Sequence, residues 1–168
     1  MHFDCVAQFT KMLRNLDGWI EKGLAHAKAK SFDPSVLMTA RLAPDQYNFI
    51  RQVQAACDAA KFAGSRLTGR DAPAFADTET TADEIRARIA NTVAFLDGLT
   101  AADFEGAAEC VVALPFIPGK GLAGRHYLAE LAMPNFFFHV TTAYAILRHN
   151  GVDLGKIDYI GGLSLRDA

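Results

Sequence analysis

The segment from Pro134 to Gly151, PNFFFHVTTAYAILRHNG, constrains the fold more than any other part of the sequence. Proline is tolerated in the first turn of a helix and an Asn-Gly pair commonly ends one, so the pattern predicts a single helix of about four turns. Its apolar residues lie on nearly every side, which is typical of a helix buried within a bundle. The exceptions are Asn135 and His139, which are four residues apart and project side by side from one face. We expect any chemical site to lie there.

Periodic apolar residues and capping signals predict three further helices. From residue 4 to about residue 30, apolar residues recur every three or four positions, as in one long amphipathic helix. Pro44 is typical of a first helical turn, and the second helix is expected to start there and to end at Gly64. Residues 81–84 form a capping-box pattern that opens a third helix, which continues to about residue 98.

Long connections separate these helices, and one of them contains the short extended segment ECVVALPFI. Its Pro115 limits it to an edge strand or an extended stretch, and the PGKGLAG that follows is expected to be a flexible turn. Long connections allow parallel neighbours in a bundle, whereas short loops force antiparallel ones. We therefore expect an all-α four-helix bundle, with residues 1–168 as a single domain and a topology other than simple up-down-up-down.

The composition argues against several classes of function. A chain of 168 residues with 51% hydrophobic residues suits one globular domain with a core. A net charge of −2 leaves no basic surplus for nucleic acid or an acidic membrane. The three cysteines form no CxxC pair, which indicates reduced thiols. The first ten residues lack a signal-peptide pattern and no apolar run could span a bilayer, so we expect a cytoplasmic protein with no membrane or nucleic-acid partner.

The helical frame and the strings RQVQAACDAAK and PNFFFHVTTAYAILRHNG resemble a bacterial family of unknown function within the DinB-like superfamily of predicted metalloenzymes. The resemblance covers nearly the whole chain. It implies a four-helix bundle of the up-up-down-down type, commonly a homodimer. It also implies a metal site that many relatives build from three histidines, one on the second helix and an HxxxH pair on the fourth.

The sequence departs from this set of ligands. Aligned on the closing LRxNG motif, His139 takes the second position of the HxxxH pair and Asn135 the first, while the position on the second helix falls near Gln54. Asn and Gln oxygens bind zinc or nickel weakly, although Asp58, one turn beyond Gln54, could supply a carboxylate. The resemblance thus implies a degenerate metal site, with zinc or nickel as the candidate ion and His139 as the strongest ligand.

Two functions remain open at this point. One is a metal-dependent hydrolase or thiol transferase acting on a small molecule, in which His139 is a metal ligand or general base. Five further positions would assist it or position the substrate: Asn135, Gln54, Asp58, Tyr47 and Tyr144. The other is a non-catalytic homodimer whose metal site has become a polar pocket between the second and fourth helices, able to take a small-molecule ligand. The missing histidines favour the second reading, in which His139 is a buried imidazole satisfied by hydrogen bonds.

The three adjacent phenylalanines at 136–138 suggest that the chain has a protein partner. Successive side chains on a helix point about 100° apart, so the three rings cannot all face one core. At least one of them should meet a second surface. We expect that surface to belong to another copy of the chain.

Overall fold

The computed structural model describes residues 1–167, most of which are helical. The elements in chain order are α1 (His2–Ala29), α2 (Ser35–Thr39), α3 (Phe49–Thr68), α4 (Ala82–Asp97), a 3-10 turn (Ala101–Phe104), β1 (Val111–Ala113), β2 (Gly121–Ala123), α5 (Gly124–His126), a π-helical segment (Tyr127–Ala132), α6 (Met133–His149) and α7 (Lys156–Ile160). The four long helices α1, α3, α4 and α6 pack around one apolar core. Within the described residues, no helix is both long and apolar enough to cross a membrane.

Aromatic contacts along α1 and α6 show that these two helices run parallel. The ring of Phe9 lies 4.3 Å from that of Phe136. Further towards the C-terminal end of both helices, the ring of Trp19 lies 5.5 Å from that of Tyr144. The order of the contacts is therefore the same in the two helices.

The helix α3 runs antiparallel to α6. Near the start of α3, Gln52 contacts His139 in the middle of α6. Near the end of α3, Arg66 contacts Tyr127, which precedes α6. The order of the contacts is therefore reversed between the two helices.

The helices α3 and α4 run parallel, and this corrects the expected order of helix directions. Asp58 pairs with Arg88 in the first half of α4, and Gly64 packs against Leu96 near its end. The four long helices thus run up, down, down, up rather than up-up-down-down. The connection 69–81 is the one that crosses over, because it returns along the length of α3, about 30 Å, before α4 begins. The connections 30–48, 69–81 and 98–123 are all long, and length alone does not show which of them joins parallel neighbours.

The predicted ends of the second helix were each misplaced by about five residues. The helix begins after Asn48, whose side chain accepts a hydrogen bond from the backbone N–H of Arg51 at 3.0 Å. It ends at Gly69, which has a φ of 73°, a conformation that glycine adopts without strain. Pro44 lies in a turn before the helix, and Gly64 lies inside it.

The predicted limits of the first and third helices are confirmed. The first spans His2–Ala29. The third begins after Thr81, whose side chain accepts from the N–H of Glu84 while the Glu84 carboxylate accepts from the N–H of Thr81. This is the reciprocal capping box that the sequence predicted.

The extended segment is one strand of a small hairpin. β1 and β2 pair antiparallel, with Val112 opposite Leu122. The turn expected at PGKGLAG is therefore shorter than predicted, because Gly121, Leu122 and Ala123 belong to β2. The hairpin leads directly into α5.

α6 begins at Met133, next to Pro134 as the sequence predicted, but helical backbone also precedes it. Helical backbone is continuous from Gly124 through the π-helical segment to His149. A proline inside a helix lacks an N–H and crowds the carbonyl one turn earlier. The wider π turn that ends at Ala132 lies where this crowding would occur, which explains how Pro134 is accommodated.

Candidate functional site

A groove of about 320 Å³ lies between α3 and the continuous helical stretch 124–149, and we call it the α3–α6 groove. Its α3 side chains recur every three or four positions, as one face of a helix does. Residues from both walls and from the hairpin loop line it; the polar ones are Tyr47, Arg51, Asp58, Arg66, Tyr127, Asn135 and His139. The sequence had placed the site between these same two helices.

His139 is buried at the inner wall of the groove, with 9% of its surface exposed. Its Nδ1 lies 2.8 Å from Oε1 of Gln52, which is fully buried on α3. The Gln52 side-chain N–H₂ in turn donates to the backbone carbonyl of Tyr47 at 3.3 Å. That second bond orients the amide with its oxygen towards the imidazole, so His139 Nδ1 carries the proton and donates it to Gln52.

This tautomer leaves Nε2 of His139 as the nitrogen with a lone pair. Burial, followed by the nearby positive charge of Arg51, lowers the pKa of His139 below its ordinary value. The imidazole is therefore neutral at pH 7, and Nε2 can accept a hydrogen bond or a proton from a molecule in the groove.

Tyr47 and Asn135 both lie beside His139 in the α3–α6 groove. The ring of Tyr47 is nearly parallel to the imidazole, with centroids 6.4 Å apart, and half of this tyrosine is exposed. Arg51 lies over the ring of Tyr47, with its guanidinium 5.5 Å from the ring centroid. Asn135 does not cap a helix, since the preceding backbone is helical.

Gln54, which the alignment placed at the ligand position of the second helix, faces a different part of the molecule. Its side-chain amide donates to Glu79 at 2.8 Å and its oxygen accepts from Arg51 at 3.1 Å. It lies two positions from Gln52, and residues two apart on a helix point to nearly opposite sides. The hydrogen-bond partner of His139 on this helix is therefore Gln52 and not Gln54.

Asp58 lines the groove, but its carboxylate belongs to an ionic cluster around the buried side chain of Arg88. Oδ1 of Asp58 lies 2.7 Å from Arg88 and 3.0 Å from Lys61. Arg88 is almost fully buried and also contacts Asp77 at 2.6 Å and Glu79 at 3.1 Å. The cluster attaches the crossover connection 69–81 to α3 and α4.

Tyr144 lies away from the groove, against α1. Its ring packs at 5.5 Å from Trp19 and at 5.6 Å from Tyr159, and its hydroxyl donates to the backbone carbonyl of Leu154 at 3.3 Å. Its predicted role in positioning a substrate next to His139 does not agree with this location. It anchors the C-terminal segment to the bundle instead.

The residues around His139 do not fit a three-ligand metal site. Nowhere in residues 1–167 do three His, Cys, Asp or Glu side chains come together in a group that could hold a metal ion. Nδ1 of His139 is taken by Gln52, Asn135 offers a neutral amide, and the carboxylate of Asp58 is neutralised by two cations. Only Nε2 of His139 remains as a strong donor for zinc or nickel.

A second depression, of about 450 Å³, lies between α1 and α4 but is a weaker candidate. Its charged residues are already paired: Arg14 contacts Asp97, and Arg86 contacts both Asp17 and Glu21. Among the described residues that line it, each charged side chain has an oppositely charged partner.

Two residues that line or support the site, Gln52 and Arg66, were missed in the sequence. Gln52 lies within the apolar stripe of α3, between Phe49 and Val53, and all three are fully buried. A polar residue in an apolar stripe needs a buried partner, and that signal was present. Arg66 offered no signal, because its position beyond the predicted end of the helix removed it from the face that lines the groove.

Comparisons with known proteins agree with this architecture. The sequence profile of the family DUF1993, a domain of unknown function, matches residues 1–160. A crystal structure of a DinB family member protein from Shewanella denitrificans is similar to this chain at 48% sequence identity and a TM-score of 0.95, covering 99% of this chain and 95% of that one. No protein with curated annotation matches the chain.

Proposed function

The chain belongs to the DUF1993 family, and from that premise we propose that it is a small-molecule-binding protein whose ligand lies in the α3–α6 groove without a resident metal ion. The DinB-like metal position is, in this proposal, degenerate and replaced by the hydrogen-bonded pair of His139 and Gln52. The observation that carries the proposal is the neutral His139, whose free Nε2 borders a groove of about 320 Å³.

The chemistry of the pair supports binding through an acceptor nitrogen. Gln52 holds the proton on Nδ1, so a ligand that donates an O–H, N–H or S–H group to Nε2 makes a hydrogen bond with a preset tautomer. Tyr47 and Asn135 border the same space and could orient such a ligand. A metal-dependent hydrolase or thiol transferase would need more strong ligands than this wall supplies.

Protein-observed NMR with a fragment collection tests the binding role. Fragments that carry a hydrogen-bond donor should shift the imidazole signals of His139 and the side-chain amide of Gln52. His139→Gln should abolish the shift of the Gln52 amide, and His149→Gln, in the exposed last turn of α6, should not. Fragments that bind the His139→Gln protein equally well would contradict the proposal.

Metal analysis of protein purified without an affinity tag tests the metal-free part of the proposal. We expect substoichiometric zinc and nickel and an unchanged unfolding curve in the presence of a chelator. One bound ion per chain that is lost in His139→Ala would contradict the proposal and favour the metal-dependent enzyme.

We also propose that the chain forms a homodimer through the exposed ring of Phe138. Phe136 is fully buried and Phe137 packs edge-on at 6.0 Å from Phe9, whereas Phe138 is 55% exposed. Sedimentation at micromolar concentration should give a dimer, and Phe138→Asp should give a monomer. Val36→Asp, at an equally exposed apolar position on α2, is the control that should remain dimeric. A monomeric unmodified protein would contradict this part.

A further inference from the structure

Arg66 occupies the end of the α3–α6 groove that is remote from His139, and its guanidinium is held between two aromatic rings. Its Cζ lies 4.9 Å from the ring centroid of Phe62 and 5.7 Å from that of Tyr127. Nη1 donates to the Tyr127 hydroxyl at 3.3 Å. Contact with aromatic rings restricts the orientation of a guanidinium, so the N–H donors of Arg66 that bond to no residue within 1–167 keep a preferred direction.

Arg66 is also the groove's uncompensated charge. Arg51 pairs with Asp77 at 2.7 Å, and the carboxylate of Asp58 is shared by Lys61 and Arg88. Within residues 1–167, no carboxylate lies within 4.0 Å of the Arg66 guanidinium. The groove therefore has one cation at this end whose counterion the described chain does not provide.

Tyr127 adds a second donor beside Arg66. It is 2% exposed, and its hydroxyl oxygen accepts the hydrogen bond from Arg66. The hydroxyl proton has no acceptor among the described residues, although buried polar groups are generally satisfied. Burial raises the pKa of Tyr127 despite the opposing charge of Arg66, so the hydroxyl stays protonated at neutral pH.

We propose that Arg66 and Tyr127 form a subsite for the carboxylate or phosphate group of an organic ligand. A planar guanidinium presents paired donors that match the oxygens of either group, and the phenolic O–H supplies one more. Phe62 and Phe116 line the groove next to this subsite, and both are more than a third exposed. They offer a surface for an apolar or aromatic group adjoining the anion. This inference rests on the proposed function in taking the groove as a ligand site.

The two ends of the groove are far enough apart for ligand binding at each end to be tested separately. Gln52, beside His139, and Arg66 are fourteen positions apart on α3, which corresponds to about 21 Å along the helix axis. A ligand that reaches both ends must be extended, with its anion at Arg66 and a hydrogen-bond donor at His139. A small anionic probe should occupy the Arg66 end alone.

Titration of the ¹⁵N-labelled full chain with four probes tests the subsite: benzoate, phenyl phosphate, inorganic phosphate and benzyl alcohol. Benzoate or phenyl phosphate should give a saturable shift of the Arg66 Nε–H signal, and benzyl alcohol should not. Arg66→Gln should weaken the binding at least tenfold. The matched control is Arg70→Gln, one turn further on, whose guanidinium is already paired with Asp103 at 2.6 Å, and it should bind as the unmodified protein does.

Tyr127→Phe removes one hydroxyl with little change of shape and should weaken the binding of benzoate or phenyl phosphate several-fold. Equal affinity in Arg66→Gln and Arg70→Gln would overturn the subsite, as would an equal response to benzyl alcohol. Inorganic phosphate that binds as tightly as phenyl phosphate would show that the anion alone is recognised and would overturn the role of the two phenylalanines. If no fragment binds at His139 but benzoate still binds at Arg66, the proposed function is rejected and the subsite is not.

Discussion

The hydrogen bond between His139 Nδ1 and Gln52 Oε1, 2.8 Å long, joins α6 to α3 and determines which imidazole nitrogen borders the groove. Its partners are both buried, so the bond is formed where water cannot replace it. The carbonyl of Tyr47 fixes the glutamine amide, and the glutamine fixes the histidine. The tautomer of His139 that borders the groove is thus determined by residues on three segments of the chain.

Replacing Gln52 should affect the stability of the fold or the pKa of His139, depending on the residue that replaces it. Gln52→Met leaves the Nδ1 proton buried without an acceptor and should destabilise the fold by about 1–3 kcal/mol. Gln52→Glu places a carboxylate beside the ring and should raise the pKa of His139. An NMR titration of the His139 ring protons and urea denaturation measure the two effects. Gln54→Met, which removes an amide facing Glu79, is the control and should leave the His139 titration unchanged.

The stability of the protein should fall as the pH drops from 7 to 5, and His139 should be the cause. Because the folded pKa of His139 is lowered, the unfolded chain binds a proton more readily, starting near its ordinary value of about 6.5. The stabilisation is therefore complete above that pH and is lost as the pH falls towards the folded pKa. Urea denaturation at pH 7 and pH 5 measures the loss. A His139→Gln protein that shows the same loss would contradict this assignment.

A second loss of stability is expected at lower pH, and it belongs to the ionic cluster. Burial opposes ionisation of Asp77 and Glu79, but hydrogen bonds that include those from Arg88 hold both pKa values below their ordinary range. Their contribution is present above pH of about 4.5 and is lost on further acidification. The two transitions can be separated because carboxylates and imidazole titrate in different ranges.

Arg88→Met should destabilise the protein by about 3–5 kcal/mol, because it leaves three carboxylates without their shared cation. Arg86→Met is the matched control, two positions away on α4. The side chain of Arg86 is 30% exposed whereas that of Arg88 is 1% exposed, so the loss of Arg86 should cost about 1 kcal/mol or less. Urea denaturation of both variants gives the comparison. Equal losses would mean that the cluster contributes no more than a surface ion pair.

Local signals in the sequence predicted most of the helices, but not how they face one another. The apolar period and the capping box gave the first and third helices, since both signals act within a few residues. His139 was correctly placed on an inward face for the same reason. Its partner Gln52 was not recognised, and Gln54 was placed at the site instead, because the rotation of α3 about its axis depends on packing against α6. No local pattern reports that rotation, and none reports which long connection crosses the bundle.

The glycine at 64 shows how a local signal can be overruled, and it gives a further prediction. Gly64 was expected to end the second helix, yet it lies inside α3, where an added Cβ would be 2.8 Å from Leu99 and 3.0 Å from Leu96. An alanine at this position would have to push the ends of the Leu96 and Leu99 side chains aside. Gly64→Ala gains helix propensity but overpacks the core, and should destabilise the fold by about 1–3 kcal/mol.

Gly18→Ala is the matched control for this prediction. Gly18 lies inside α1 with nothing within 4 Å of an added Cβ, so alanine there should stabilise the protein by about 0.5–1 kcal/mol. Thermal unfolding of the two variants should therefore shift in opposite directions from that of the unmodified protein. A stabilised Gly64→Ala would show that Leu96 and Leu99 can move apart at no cost, and that α3 and α4 do not need the glycine to pack at this distance.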